Sequence, residues 1–140
     1  MWRVITASSL LVSLGFPFPA TAQPARLVLA CKGTAVQSSM PEAKPDVVSM
    51  GIIVDFTTKT VQGFGFPGFN DYPVVITSAN DVLLVFDGKA HVMTSESSIS
   101  GSIDRITGDV SATSLLTSDA GKVISQTDYS LQCIPSQRLF

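Results

Sequence analysis

The chain has 140 residues, 45% hydrophobic and 14% charged, with nine basic against eleven acidic side chains, one histidine and two cysteines. That length accommodates one domain with a leader, and not two domains of ordinary size. A formal net charge of −2, with no block of like charge, leaves no electrostatic footprint for nucleic acid or for an anionic membrane surface.

Met1 to Ala22 reads as a secretory signal: Arg3, an apolar run from Val4 to Phe18, and Ala20-Thr21-Ala22 as a small-residue cleavage site. The run contains Ser8, Ser9, Ser13, Gly15 and Pro17, and is shorter than the roughly 20 residues of a spanning helix. The expected organisation is therefore a signal peptide over 1–22 and a single β domain over 23–140. The expected location is periplasmic or secreted, with no stable membrane insertion after cleavage. Two cysteines in an exported chain read as one disulfide, Cys31 to Cys133. The competing reading makes Val28-Leu29-Ala30-Cys31 a lipoprotein processing site, against which stand Arg26 before it and the large Leu29 within it.

Leu27 to Thr34 is a strand with Leu27, Leu29 and Cys31 on one face. Ala35 to Asp46 is polar and holds Pro41 and Pro45, a loop. Val47 to Phe56 alternates, with Val48, Met50, Ile52, Val54 and Phe56 on one side, and Thr57 to Lys59 turns it into a strand over 60–66. There Gly63 and Gly65 share a face, which points to a sharp bend or to a close approach of backbone or ring. Pro67 to Pro73 is a loop, 73–77 a short strand, 78–81 a turn and 82–86 a strand that Asp87-Gly88 would end. The stretch 89–96 reads equally as strand or loop. Ser98 to Leu116 is a hairpin turning at Ile106-Thr107-Gly108, with Gly108 supplying a positive φ. After a turn at 117–121, Lys122 to Cys133 places Val123, Ser125, Thr127, Tyr129, Leu131 and Cys133 on one face.

No segment of 23–140 carries a capped apolar 3.6 period. The expected fold class is all-β: an antiparallel meander of about eight short strands forming a small barrel or rolled sandwich. A disulfide between the first and last strands would set them side by side and remove both sheet edges.

Candidate chemistry is sparse. His91 lies in no recognisable nucleophile motif, and with both cysteines oxidised too few ligands remain for zinc. Asp104 and Asp109 flank the Arg105 to Gly108 turn and read as charges pinning it. A hydrolase built on Asp104, Asp109 or His91 is the least favoured class, so enzyme status stays open, leaning against, and no cofactor is expected. The recognition candidate is the aromatic, glycine-rich run holding Phe64, Phe66, Phe69 and Tyr72. Its rings either cover a ligand or partner at a barrel mouth, or serve as core and end plug.

Through Leu29-Ala30-Cys31-Lys32-Gly33-Thr34, Gly101-Ser102-Ile103-Asp104-Arg105-Ile106-Thr107-Gly108, Tyr129-Ser130-Leu131-Gln132-Cys133 and Arg138-Leu139-Phe140, the chain resembles small exported proteins of alphaproteobacteria (rhizobia and relatives) that carry no assigned function. In outline it is also similar to periplasmic lysozyme inhibitors of the small-barrel type, though it lacks their inhibitory Ser-Gly and Tyr-containing loop pattern. The expected function is a non-enzymatic envelope module that binds an envelope protein or a small apolar ligand. The alternative is a structural envelope component.

Overall fold

The structure, a computed structural model, describes residues 25–40, 42–64 and 74–136. Eight strands follow in chain order: β1 (Arg26–Gln37), β2 (Asp46–Asp55), β3 (Thr60–Gln62), β4 (Val74–Ala79), β5 (Leu83–Val92), β6 (Ser95–Asp104), β7 (Asp109–Ser118) and β8 (Val123–Pro135). Each pairs antiparallel with the next, and β8 pairs back onto β1, so the sheet is a closed barrel. None of the described residues is helical. The expectation of an all-β antiparallel meander is met, in its barrel form.

Closure follows from alternation. On β1 and β8 the register runs from Leu29 opposite Pro135 to Gln37 opposite Thr127, and it sets Cys31 directly across from Cys133. Their sulfurs are joined at 2.01 Å. Cys31 and Cys133 are both buried, and they share the inner face with Leu29 and Leu131.

The sequence boundaries shift where pairing outlasts local preference. β1 extends beyond Thr34 because pairing continues on both sides, to Ala35 opposite Asp46 on β2 and to Gln37 opposite Thr127 on β8. Asp87-Gly88 is not a turn: both lie inside β5, opposite Ser100 and Ile99, and β5 runs on to Val92. Gly88 is a buried position on the inner face, and the ladder to β6 outweighs a two-residue turn preference. The chain reverses instead at Met93-Thr94, with Met93 at φ 54°. The ambiguous 89–96 stretch is therefore the tip of a hairpin. Gly108 adopts φ 80° in the β6–β7 turn, as expected there.

β3 is shorter than the sequence suggests, ending at Gln62. Gly63 takes φ 123°, and a Cβ there would lie 2.2 Å from the carbonyl oxygen of Gly51. Only glycine fits this turn-off beside β2. It swings Phe64 inward, against Phe86 and Tyr129.

The barrel has two unlike ends. The closed end carries the β2–β3, β4–β5 and β6–β7 turns and packs Leu29, Ile52, Val54, Val61, Leu84, Ile103 and Val110. Phe86 reaches across the middle, over Gly101, where a Cβ would stand 2.6 Å from the ring. The open end carries the β1–β2 loop and the β5–β6 and β7–β8 turns. On one side the ladders among the described residues are short: β3 covers only Ile53–Asp55 of β2, and β4 pairs with β5 from Leu84 to Asp87.

Candidate binding chamber at the open end

The inner face changes character along its strands. Towards the closed end Leu29 and Cys31, Ile52 and Val54, and Leu131 and Cys133 are all buried. Further along the same faces Ala35 and Gln37, Val48 and Met50, and Thr127 and Tyr129 are only half-buried. Side chains that point into a barrel yet keep accessible surface line a space that opens to solvent.

The register assembles that lining. Gly88, Ile99, Ser114, Thr127 and Gln37 lie in one row across β5, β6, β7, β8 and β1; the next row towards the rim is Ala90, Ser97, Leu116 and Ser125. Gln37 Nε2 donates to Ser125 Oγ at 3.2 Å. Phe64 stacks on Phe86 with ring centroids 5.3 Å apart and meets Tyr129 edge-on at 5.8 Å, so an aromatic trio forms the floor. Burial raises the pKa of the Tyr129 phenol.

Two hydroxyls set this chamber apart. Ser97 and Ser114 are 5% and 3% exposed, and neither side chain hydrogen-bonds to a described residue. No described polar side-chain atom is both occluded and unpaired, so each hydroxyl retains a little accessible surface, on the inward side that strand alternation gives it. None of the described strands places a charged side chain on the chamber wall; Asp46, at the rim, is exposed.

Of the sequence candidates, Phe64 belongs to the chamber floor, and Cys31 and Cys133 form the disulfide that closes the wall. Phe66, Phe69 and Tyr72 lie outside the described residues. Asp104 is at the closed end, where its Oδ1 accepts from the backbone N–H of Ile106 at 2.8 Å and of Thr107 at 2.9 Å. These bonds, Thr107's first, lower its pKa. Asp109 accepts from Thr107 Oγ1 at 2.7 Å. Asp104 and Asp109 therefore hold a turn. His91 is far away on the open rim, its Nε2 3.7 Å from Asp119 Oδ1. Leu83, opposite Asp104, and His91 are eight positions apart along β5, about 25 Å, so the three do not converge on one substrate. Among the described residues no group of three or more His, Cys, Asp or Glu could hold a metal ion.

A second concavity, of about 410 Å³, lies outside the closed end between Leu27, Phe56, Arg105, Ile106 and Ile134. Arg105 sits 5.5 Å above the Phe56 ring and hydrogen-bonds to the Asn80 carbonyl. The Arg105 guanidinium is thus tied to the fold through Asn80 and Phe56.

The hydroxyls of the chamber escape a reading that looks for reactive groups. Their signal was present: on β8 the inner positions pass from Cys133 and Leu131 through Tyr129 to Thr127 and Ser125, and on β7 from Val110 and Ala112 to Ser114 before Leu116, in unbroken alternation. Compared with protein-family models, curated proteins and solved structures, the chain has no match.

Proposed function

We propose that the protein is an exported, non-enzymatic barrel of the cell envelope that holds a small ligand in its open end. The observation that carries this reading is the half-buried inner face around Tyr129 and Thr127, continuous with a fully packed closed end. The secretory signal read from Met1 to Ala22 and the Cys31–Cys133 bond agree with an oxidising compartment such as the periplasm. The test is a map of backbone amide shifts during titration with a library of small soluble fragments. Binding shifts are expected at Gln37, Ser97, Ser114 and Thr127; shifts confined to the closed-end concavity or to the outer strand faces would refute the reading.

An envelope partner is the second reading, favoured by the rim. Met40, Val47 and Met93 are 56%, 90% and 90% exposed around the open end, and such apolar side chains suit a protein contact. On this reading a Val47→Ser, Met93→Ser double substitution abolishes capture of the partner and leaves fragment binding unchanged.

A further inference from the structure

Resting on the reading of the open end as a binding chamber, we infer that its ligand is uncharged: a neutral molecule with one flat apolar ring system and a donor or acceptor group that Ser97 and Ser114 meet.

The floor fixes the first half of this description. Phe64, Phe86 and Tyr129 present ring faces and edges, and Met50 and Ala35 extend the apolar surface. A flat ring buries well on such a floor. The wall fixes the second half. Ser97, Ser114, Ser125, Thr127 and Gln37 supply hydroxyl and amide groups, of which Gln37 and Ser125 already pair with each other. Ser97 and Ser114 are 5% and 3% exposed on inward strand positions, and no described polar side-chain atom is both occluded and unpaired, so their hydroxyls keep enough access for a ligand group to take the place of water as hydrogen-bond partner.

Charge excludes the alternatives. The charged side chains of the surrounding strands point outward: Lys32 on β1, Asp87 and Lys89 on β5, Glu96 on β6 and Asp128 on β8 lie at positions alternate to the inner ones. Lys89 and Glu96 pair with each other at 3.2 Å, and Asp128 is held by Ser38, Thr113 and Gln126. A carboxylate, phosphate or ammonium entering the chamber would meet no inward-pointing countercharge from the described strands to offset the hydration it gives up.

The test compares two dyes that share one ring system, N-phenyl-1-naphthylamine, which is neutral, and 1-anilinonaphthalene-8-sulfonate, which is anionic. Fluorescence titration of the disulfide-intact protein is expected to show the neutral dye bound about tenfold or more tightly than the sulfonate. Ser114→Ala is expected to weaken the neutral dye about three- to tenfold by removing the hydroxyl, and Ser114→Leu to abolish binding by filling the space. Ser111→Ala, on the exposed outer face of β7, should change nothing, and the alanine variants keep the test valid if Ser114→Leu fails to fold. Comparable binding of both dyes, weakened alike by Ser114→Ala, would overturn the selection for neutral ligands while leaving the chamber in place. Absence of binding by either dye, or binding indifferent to both Ser114 variants, would overturn the chamber itself.

Discussion

At the scale of single residues, the barrel is fastened by carboxylates that act on turns. Asp55 is 8% exposed; its Oδ1 accepts from the N–H groups of Thr57 and Thr58, both at 3.0 Å, and its Oδ2 from Arg26 at 2.8 Å. The Thr58 N–H foremost, then the Arg26 guanidinium, hold its pKa down at about 2. Asp104 is lowered by the N–H groups of Thr107 and Ile106, and Asp128 by the hydroxyls of Ser38 and Thr113. All three are more acidic folded than unfolded, so the unfolded chain binds more protons as pH falls below the ordinary carboxylate range. The stability they contribute is full above about pH 4 and drains away towards pH 2. Urea midpoints measured from pH 7 to pH 2 should be level at first and then fall. Asp55→Asn should lower the neutral-pH midpoint and flatten the acid limb; an unaltered acid limb in that variant would contradict the role given to Asp55. Gly101 acts through space: a Cβ would lie within 2.6 Å of the Phe86 ring and of the Ser111 carbonyl oxygen. Gly101→Val should therefore cost about 1–3 kcal/mol or more, readable as a lowered denaturation midpoint.

At the scale of elements, strand identity was legible and strand length was not. Alternation of Val48, Met50, Ile52 and Val54, or of Ile99, Gly101 and Ile103, states which side of a strand is buried, and the structure places those residues inside. The false turn at Asp87-Gly88 and the early end given to β1 have one cause. Local turn chemistry is read from two residues, whereas the β5–β6 ladder from Leu83 opposite Asp104 to Val92 opposite Ser95 is a non-local gain that no window of sequence contains. The truncation of β3 at Gly63 was half legible: the glycines signalled a close backbone approach, but that Gly51 is the neighbour depends on the β2–β3 register. Phe86 is the side chain on which the elements meet, fully buried and stacked on Phe64. Phe86→Ala should destabilise the protein by about 3–5 kcal/mol and should also impair ligand binding by removing part of the chamber floor. Thermal unfolding and dye titration of the same variant check both.

At the scale of the whole molecule, the two cysteines and the meander are one device. A meander of eight strands brings its first and last strands together only if the sheet rolls up, and the Cys31–Cys133 bond, across 102 positions of sequence, holds that seam. Closing a loop of this length contributes about 4–5 kcal/mol in the chain-entropy description. Reduction should therefore shift the urea midpoint strongly downward while the β dichroism in water persists, since the β1–β8 ladder runs well past the bond, to Gln37 opposite Thr127. Along that rolled sheet one end is packed by buried branched apolar side chains, whereas towards the other the described inward side chains, among them Met50, Thr127 and Tyr129, keep accessible surface. The most direct measurement of this division is a crystal structure of the disulfide-intact protein soaked with 2-naphthol, a neutral ring with one hydroxyl. Density for the naphthol lying on Phe64 and Tyr129 with its oxygen at Ser114 or Ser97 is the predicted result. A chamber filled by the protein's own side chains, with the naphthol at the closed end or absent, would contradict the account.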